Sequence, residues 1–324
     1  MFIFRLVCHI LCTNSKTHQK NLIPNLSSIN YKVKFKLFIM KTKFLFIGCI
    51  AFTFFIGCNS DENTNNGTPT AISNDEIITN SKIDASIEDV TNIADDQFTA
   101  QQNINNKPEG TVKNYLPSCA TITTVLTNNT WTRTIDFGVE GCTLENGNSV
   151  KGKMVLSFSN DFSASTQTIS YTFEGFYHNG KKLQGSKSIV RTKKATALQS
   201  EIHPVLTASI DLTITFDDGG VYSRKGTLTK ETIAGYDTWF NWEDNVNVVT
   251  GSGTTTFPNG DTFSAEITTP LEFYASCRKP FAVKGVLSIT KNGANAIVDF
   301  GNGDCNTLVN VTKDGVTTEI DLKK

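Results

Sequence analysis

Two hydrophobic periods divide the chain, and each predicts a different element. Between residues 83 and 101 the apolar positions follow helical spacing, at Ile83, Ile87, Val90, Ala94 and Phe98. From about residue 111 onward the apolar positions alternate with polar ones, as in the series Leu206, Ala208, Ile210, Leu212, Ile214 and Phe216. Alternation of this kind is typical of antiparallel strands with one buried and one solvated face. The pattern predicts a short amphipathic α-helix followed by a β domain.

Turn sequences between the alternating segments support the β assignment. Asn-Gly and Asp-Gly pairs accept the positive φ angles of tight hairpin turns. They or their Gly-rich equivalents occur at His178–Lys181, Asp217–Gly220, Pro258–Asp261, Lys291–Gly293 and Lys313–Gly315. The expected fold is therefore all-β, an antiparallel β-sandwich or an open barrel-like meander over residues 111–324, preceded by the short helix at 83–101. The strand pattern leaves these two architectures open.

The helical segment also carries acidic residues, which the sequence places opposite the apolar stripe. These are Glu88, Asp89, Asp95 and Asp96. An amphipathic helix on the surface of a domain turns such residues to water. We expect them to be solvated and the apolar stripe to cover the β domain.

A signal sequence precedes these elements. Phe44 to Gly57 is an apolar run that is too short to span a bilayer, and Met40-Lys41-Thr42-Lys43 gives it a basic start. A small residue, Gly57, then precedes Cys58, as at the acylation site of a lipoprotein. We expect residues 40–57 to be a lipoprotein signal peptide and residues 1–39 to be an upstream extension ahead of the true start at Met40. Residues 58–82 are rich in Asn, Thr and Ser and predict a flexible tether.

Cleavage before Cys58 changes the charge of the protein. The whole chain has a formal net charge of −1, but residues 1–57 contain only basic charged residues, and their removal leaves −9. Nucleic-acid binding requires clustered Lys and Arg, so this balance argues against nucleic acid as a partner. The remaining local basic cluster, Arg191 to Lys194, is predicted to be a solvated turn.

Four cysteines remain in addition to Cys58, and an internal repeat predicts how they pair. Asp-Phe-Gly occurs twice, each time with a cysteine four residues after the Gly, at Cys142 and at Cys305. Each of these has another cysteine upstream, Cys119 and Cys277 respectively. Two similar units that each close a loop predict the disulfides Cys119–Cys142 and Cys277–Cys305. A zinc site is disfavoured because close cysteine pairs are absent.

The residues around Cys58 carry a resemblance to a known group of proteins. Asn59-Ser60-Asp61-Glu62, a Ser and an acidic pair directly after the cysteine, is similar to the surface-export signal of Bacteroidota lipoproteins. The Asn-Gly turns and the Asp-Phe-Gly…Cys repeats also resemble flavobacterial lipoproteins. The resemblance implies an outer-membrane lipoprotein, exposed at the cell surface, whose membrane partner is reached through lipid on Cys58. It implies no particular activity and no cofactor other than that covalent lipid.

Residues suited to catalysis are few. After Cys58 the chain has two histidines, His178 in a predicted hairpin turn and His203 before a proline, and no nucleophile elbow or zinc-protease motif. No catalytic residue and no metal ligand is therefore assigned. The segment from Tyr236 to Asp244 is the most suggestive stretch, with candidate ligand contacts at Trp239, Trp242, Glu243 and Asp244. Exposed Trp faces stack on sugar rings, whereas buried ones stabilise a core.

Three functional hypotheses follow. The first is a non-catalytic cell-surface module that binds a glycan or protein ligand or has a structural role. The second is a surface glycoside hydrolase or lyase, or a glycan-binding protein, that uses the Trp239–Asp244 segment. The third is a periplasmic lipid or lipoprotein carrier with an apolar cavity inside the β domain. The sequence favours a protein that is not an enzyme and does not identify the ligand.

Overall fold

The computed structural model describes residues 71–106, 116–238 and 241–323. The expected signal peptide, Cys58 and the Asn59–Glu62 segment lie outside these ranges. The described chain contains one long helix, α1 Asn74–Asn106, followed by strands. The strands are β1 Thr121–Thr127, β2 Thr130–Asp136, β3 Cys142–Thr143, β4 Ser149–Ser159, β5 Thr166–His178, β6 Lys181–Lys194, β7 His203–Thr215, β8 Val221–Ala234, β9 Val246–Thr256, β10 Thr262–Tyr274, β11 Lys284–Lys291, β12 Ala294–Asn302, β13 Leu308–Lys313 and β14 Val316–Asp321.

The strands form one antiparallel sheet with a simple meander topology. Apart from the short β3, which pairs only with β4, each strand pairs with its neighbours along the chain from β1 to β14, and the sheet does not close. All five predicted turns connect consecutive strands. In three of them both central residues have positive φ, as at Asn179 and Gly180 between β5 and β6. The predicted all-β antiparallel fold preceded by one helix is confirmed.

Helix α1 is longer than predicted at both ends. Its start is fixed by a capping box, in which the Ser73 hydroxyl accepts from the Glu76 backbone N–H and Glu76 Oε2 accepts from the Ser73 backbone N–H at 2.8 Å. The helix therefore begins inside the segment predicted as a tether. The Ser-x-x-Glu spacing was visible in the sequence and would have located this end correctly.

The helix crosses one face of the sheet. Near its start, Lys313 of β13 donates to Asn74 Oδ1 at 2.7 Å, and near its end Arg133 of β2 donates to Gln101 Oε1 at the same distance. Between Glu76 and Asn103 no residue of α1 is exposed. The expectation of a water-facing acidic side is therefore wrong, because the sheet covers this side as well, and Asp89 is only 1% exposed.

Apolar residues of α1 and the inner sheet face form the core. The larger cluster joins Ile83, Ile87, Val90 and Phe98 of the helix to inward residues of β2 and β4–β7. A second cluster places Ile72 and Ile77 against β10–β14. The predicted alternation holds on β7, where Leu206, Ala208, Ile210, Leu212 and Ile214 are buried. Burial of both ends of α1 on the sheet stabilises the whole meander as one unit.

Both predicted disulfides are present. Cys119–Cys142 joins the segment before β1 to β3, and Cys277–Cys305 joins the loop after β10 to the loop before β13. The two Asp-Phe-Gly repeats also share a local hydrogen bond, since Asp136 Oδ1 accepts from Gly138 N and Asp299 Oδ1 accepts from Gly301 N, at 2.8 and 2.9 Å. The sequence repeat is therefore a local structural repeat near the ends of β2 and β12.

Candidate functional site

A buried hydrogen-bond network connects the middle of α1 to β5. Ser86 Oγ lies 2.9 Å from His178 Nδ1, and His178 Nε2 lies 2.7 Å from Asp89 Oδ2. The connectivity is that of a Ser-His-Asp triad, but all three side chains are buried and the Ser86 hydroxyl also reaches the Lys82 carbonyl at 2.9 Å. A substrate cannot reach this serine. His178, predicted to lie in a turn, is instead the buried last residue of β5.

Further polar pairs lie along the same helix. Arg191 Nε of β6 is 2.8 Å from Asp95, and Lys230 Nζ of β8 is 2.9 Å from Glu88. Arg191 is buried within a strand, so the prediction that this part of the basic cluster is a solvated turn is wrong. Glu88 and Asp95 of α1 are thus satisfied by basic residues of the sheet, as buried charges require.

A polar cleft of about 190 Å³ lies between the C-terminal half of α1 and one end of strands β7–β10. We call it the aromatic cleft. Its wall from the sheet carries the rings of Tyr236, Trp242 and Tyr274, all partly buried. Acidic residues of α1 form its other wall, and the amides of Asn146, Asn245 and Asn247 also line the cleft. The cleft therefore places flat apolar faces beside hydrogen-bonding groups.

The structure divides the predicted Trp239–Asp244 segment. Trp242 lines the cleft, whereas Glu243 and Asp244 do not. Glu243 pairs with Arg278, and Asp244 Oδ2 accepts from the Thr238 hydroxyl at 2.6 Å. Trp239 lies outside the described residues. Of the three candidate contacts that the structure describes, Trp242 is the one that it places in the cleft.

Two cleft residues were missed by the sequence reasoning, Tyr274 and Arg278. The Arg278 guanidinium lies 6.0 Å from the Trp242 ring centre, and Arg278 adopts a left-handed backbone with φ of 51°. The neighbouring Cys277–Cys305 disulfide holds this loop, and Lys279 Nζ donates to the Cys305 carbonyl at 2.8 Å. These residues reach Trp242 only through the pairing of β9 with β10, which a linear pattern does not reveal.

The charges that line the aromatic cleft are largely paired with one another. Glu88 pairs with Lys230, Asp95 with Arg191, and Arg278 with Glu243 outside the cleft. Asp89 accepts hydrogen bonds from the Asn146 and Asn148 amides, both at 2.7 Å. The cleft therefore has little surplus charge to attract an ion. It is suited to a neutral ligand with many hydrogen-bonding groups.

A second cavity of about 80 Å³ lies nearer the start of α1, between the helix and strands β6–β12. We call it the apolar cavity. Its walls are mainly aliphatic and aromatic, and Lys187, Arg224 and Lys230 also line it. Desolvation raises the pKa of the Asp84 carboxyl here, although Arg224 Nη2 lies 3.0 Å away and opposes the shift.

Neither a metal site nor a membrane-spanning helix is found in the described ranges. No group of three or more His, Cys, Asp or Glu side chains there is arranged to hold a metal ion. In the same residues, no helix combines the length and the apolar character needed to cross a bilayer. Comparison with known proteins does not identify a family: no protein-family model, no curated protein and no solved structure matches this chain.

Proposed function

We propose that the protein is a non-catalytic glycan-binding module. The observation that carries this proposal is the aromatic cleft, in which Tyr236, Trp242 and Tyr274 lie beside carboxyl and amide groups of α1 and the sheet loops. Aromatic faces offer an apolar surface with a polar edge. A sugar ring presents the complementary surface, with C–H groups on its face and hydroxyls around its rim.

The balance of charge supports a neutral saccharide over an ionic ligand. Since Glu88, Asp95 and Arg278 each have an oppositely charged partner, the cleft offers acceptors and donors with little surplus charge. Paired groups keep hydrogen-bonding capacity, because a carboxyl has several acceptor sites and a guanidinium five donors. Sugar hydroxyls can both donate to and accept from such groups.

Binding is a better interpretation than glycoside hydrolysis. Hydrolysis needs two carboxyl groups facing each other across the scissile bond, roughly 5–10 Å apart, one of them with a raised pKa. Glu243 and Asp244, the candidates for that role, are both exposed and engaged in local contacts with Arg278 and Thr238. Neither lines the cleft. Glu243 and Asp244 therefore do not supply the opposed pair that the reaction requires.

The location of the module is part of the proposal. An apolar segment ending in Gly57-Cys58, followed by Asn59-Ser60-Asp61-Glu62, supports lipid attachment at Cys58 and an outer-membrane position facing the cell exterior. A glycan-binding domain held there would contact polysaccharides outside the cell. Metabolic labelling with a palmitate analogue tests the attachment, and Cys58→Ala is expected to abolish the label.

A glycan array followed by isothermal titration calorimetry tests the binding. We expect Tyr274→Ala and Trp242→Ala to weaken binding of the best glycan at least tenfold, since each removes part of the stacking surface. Tyr177→Ala is the matched control, because this ring lies against Lys151 outside the cleft. An array without any bound glycan, or equal affinity of all four proteins, would contradict the proposal.

A further inference from the structure

The apolar cavity exists because small residues face one another across the helix–sheet interface. They are Ser81 and Ala85 of α1, Gly251 and Gly253 of β9, Ala265 of β10 and Ala282. A methyl group on Gly253 would lie 2.7 Å from Arg224 Nη1, so the guanidinium occupies the space that this glycine leaves. Here the helix and the sheet are lined by short side chains, and a void remains between them.

The walls of the cavity are mostly apolar. Leu228, Val249, Leu271 and Leu287 contribute aliphatic surface, and Phe281 and Phe300 contribute aromatic surface. Water is poorly stabilised in a cavity lined in this way, because a buried water molecule needs several polar partners. An apolar group would bind to these walls more favourably.

Three cations interrupt the apolar wall, against two acidic groups. Lys230 pairs with Glu88 at 2.9 Å, and Arg224 pairs with Asp84 at 3.0 Å. Lys187 is 3% exposed, and its Nζ donates to the Thr91 hydroxyl. Within the described residues Lys187 has no carboxyl group within ion-pair distance. With each group in its ordinary ionised form, the cavity holds one positive charge in excess.

Arg224 adds unused hydrogen-bond donors to this charge. The residue is 3% exposed, yet its Nε and Nη1 groups have no hydrogen-bond partner in the described part of the chain. Buried donors in native proteins are nearly always paired, so two donor nitrogens without a partner on one guanidinium require an explanation. A guanidinium with free N–H groups is the preferred partner of a carboxylate.

We propose that the apolar cavity binds a small monoanionic amphiphile, a free carboxylate with a short apolar tail. The carboxylate accepts from Arg224 and balances the charge of Lys187, while the tail contacts the wall formed by Leu228, Leu271 and Phe300. The volume of about 80 Å³ limits the tail to a few carbon atoms. Glu88, Lys230, Phe273 and Pro280 line both the apolar cavity and the aromatic cleft. Arg224 and Ala282 line the apolar cavity alone, so variants at these two positions separate this site from glycan binding.

Isothermal titration calorimetry with a series of ligands tests the inference. Butanoate, hexanoate and octanoate are compared with hexan-1-ol and hexylamine, which keep the tail but lack the negative charge. We expect affinity to rise roughly fourfold per methylene until the cavity is filled. We also expect hexanoate to bind at least tenfold more tightly than uncharged hexan-1-ol and than cationic hexylamine.

Two variants locate the site. Arg224→Gln removes the charge and most donors, and Ala282→Leu fills the cavity while leaving every charged group in place. Each is expected to reduce hexanoate affinity at least tenfold. Arg133→Gln is the matched control, since Arg133 is also buried but donates to Gln97 and Gln101 at the far end of α1. Thermal unfolding without ligand establishes that each variant is folded.

The outcomes that overturn the proposal are specific. Equal binding of hexanoate, hexan-1-ol and hexylamine would show that no carboxylate is recognised. Unchanged affinity in folded Ala282→Leu would place the ligand elsewhere, and absence of binding by all three acids at millimolar concentration would remove the site. In Arg224→Gln and Ala282→Leu, by contrast, loss of hexanoate binding with retained glycan binding would support this site and distinguish it from the proposed function.

Discussion

His178 Nε2 lies 2.7 Å from Asp89 Oδ2, and both side chains are 1% exposed. The contact joins the middle of α1 to the end of β5, which lie 89 residues apart along the chain. Asp89 also accepts from Asn146 and Asn148 of the β3–β4 turn. One carboxyl group therefore attaches the helix to two hairpins. We expect its role to be structural.

Replacing Asp89 tests this role. Asp89→Ala leaves His178 and two amides without their acceptor in a buried site, and we expect a loss of about 3–5 kcal/mol in the free energy of unfolding. Urea denaturation followed by circular dichroism measures it. Asp95→Ala is the control, because Asp95 has one such partner, Arg191, and is 25% exposed. A smaller loss for Asp89→Ala than for Asp95→Ala would contradict the structural role.

Lys187 and Lys291 form a natural comparison, since each is 3% exposed but only Lys291 has carboxyl partners within the described residues. Lys187→Met replaces a buried amine that has no carboxyl partner by an apolar chain of similar length, and we expect a gain of about 1–3 kcal/mol in stability at pH 7. Lys291→Met leaves Glu76 and Asp261 without their shared partner and is expected to lower stability. The urea denaturation midpoints of the two variants measure whether stability rises in Lys187→Met and falls in Lys291→Met.

The pH dependence of stability follows from the buried lysines. Desolvation lowers the pKa of Lys187 to about 7 and that of Lys181 to about 8, from an ordinary value of 10.5. Between these values the unfolded chain binds more protons than the folded chain, so stability rises as the pH increases from about 7 to about 9. Denaturation series at pH 7, 8 and 9 measure the slope. Lys187→Met is expected to flatten it, and an unchanged slope would rule Lys187 out as a source.

At acidic pH, the pH dependence of stability involves Glu76. Its burial alone would raise the pKa, but the bonds from Lys291 and from the Ser73 backbone hold the pKa of this carboxyl below its ordinary value. The capping contact therefore contributes to stability above that ordinary value and is lost as the pH falls through the folded pKa. Glu76→Gln is expected to weaken the acid dependence of unfolding between about pH 5 and pH 3. The same loss of stability in this pH range as in the unaltered protein would show that Glu76 does not contribute to it.

The strands and the disulfides were predictable because their signals are local. Each alternating run, such as Leu206 to Ile214, determines which face of a strand is buried, and a repeated Asp-Phe-Gly…Cys motif indicates which cysteines pair. The surroundings of α1 were not predictable in this way. Asp89 and Glu88 have the sequence pattern of solvated residues, and their partners His178 and Lys230 lie 89 and 142 residues away.

The candidate site was predicted only in part for the same reason. Trp242 belongs to an aromatic segment that the composition singles out, and the structure places it in the cleft. Tyr274 and Arg278 join it because β9 and β10 pair in the register Val246↔Tyr274. The apolar cavity depends on small residues brought together from α1, β9 and β10. Such positions have no local pattern, since each glycine or alanine is unremarkable in its own strand or helix.

The two disulfides are expected to contribute equally to stability but differently to glycan binding. Their loops are of similar length, with separations of 23 and 28 residues, so removing either is expected to cost about 3–4 kcal/mol in the chain-entropy treatment. Neither disulfide lines the aromatic cleft, but Cys277 directly precedes Arg278 and Lys279, which do, and Lys279 also bonds the Cys305 carbonyl. We therefore expect the double variant Cys277→Ser/Cys305→Ser to lose both stability and glycan affinity. The matched variant Cys119→Ser/Cys142→Ser is expected to lose stability alone. Denaturation midpoints and titration calorimetry, measured on the two variants side by side, distinguish these effects, and equal glycan affinity in both would show that the loop does not shape the cleft.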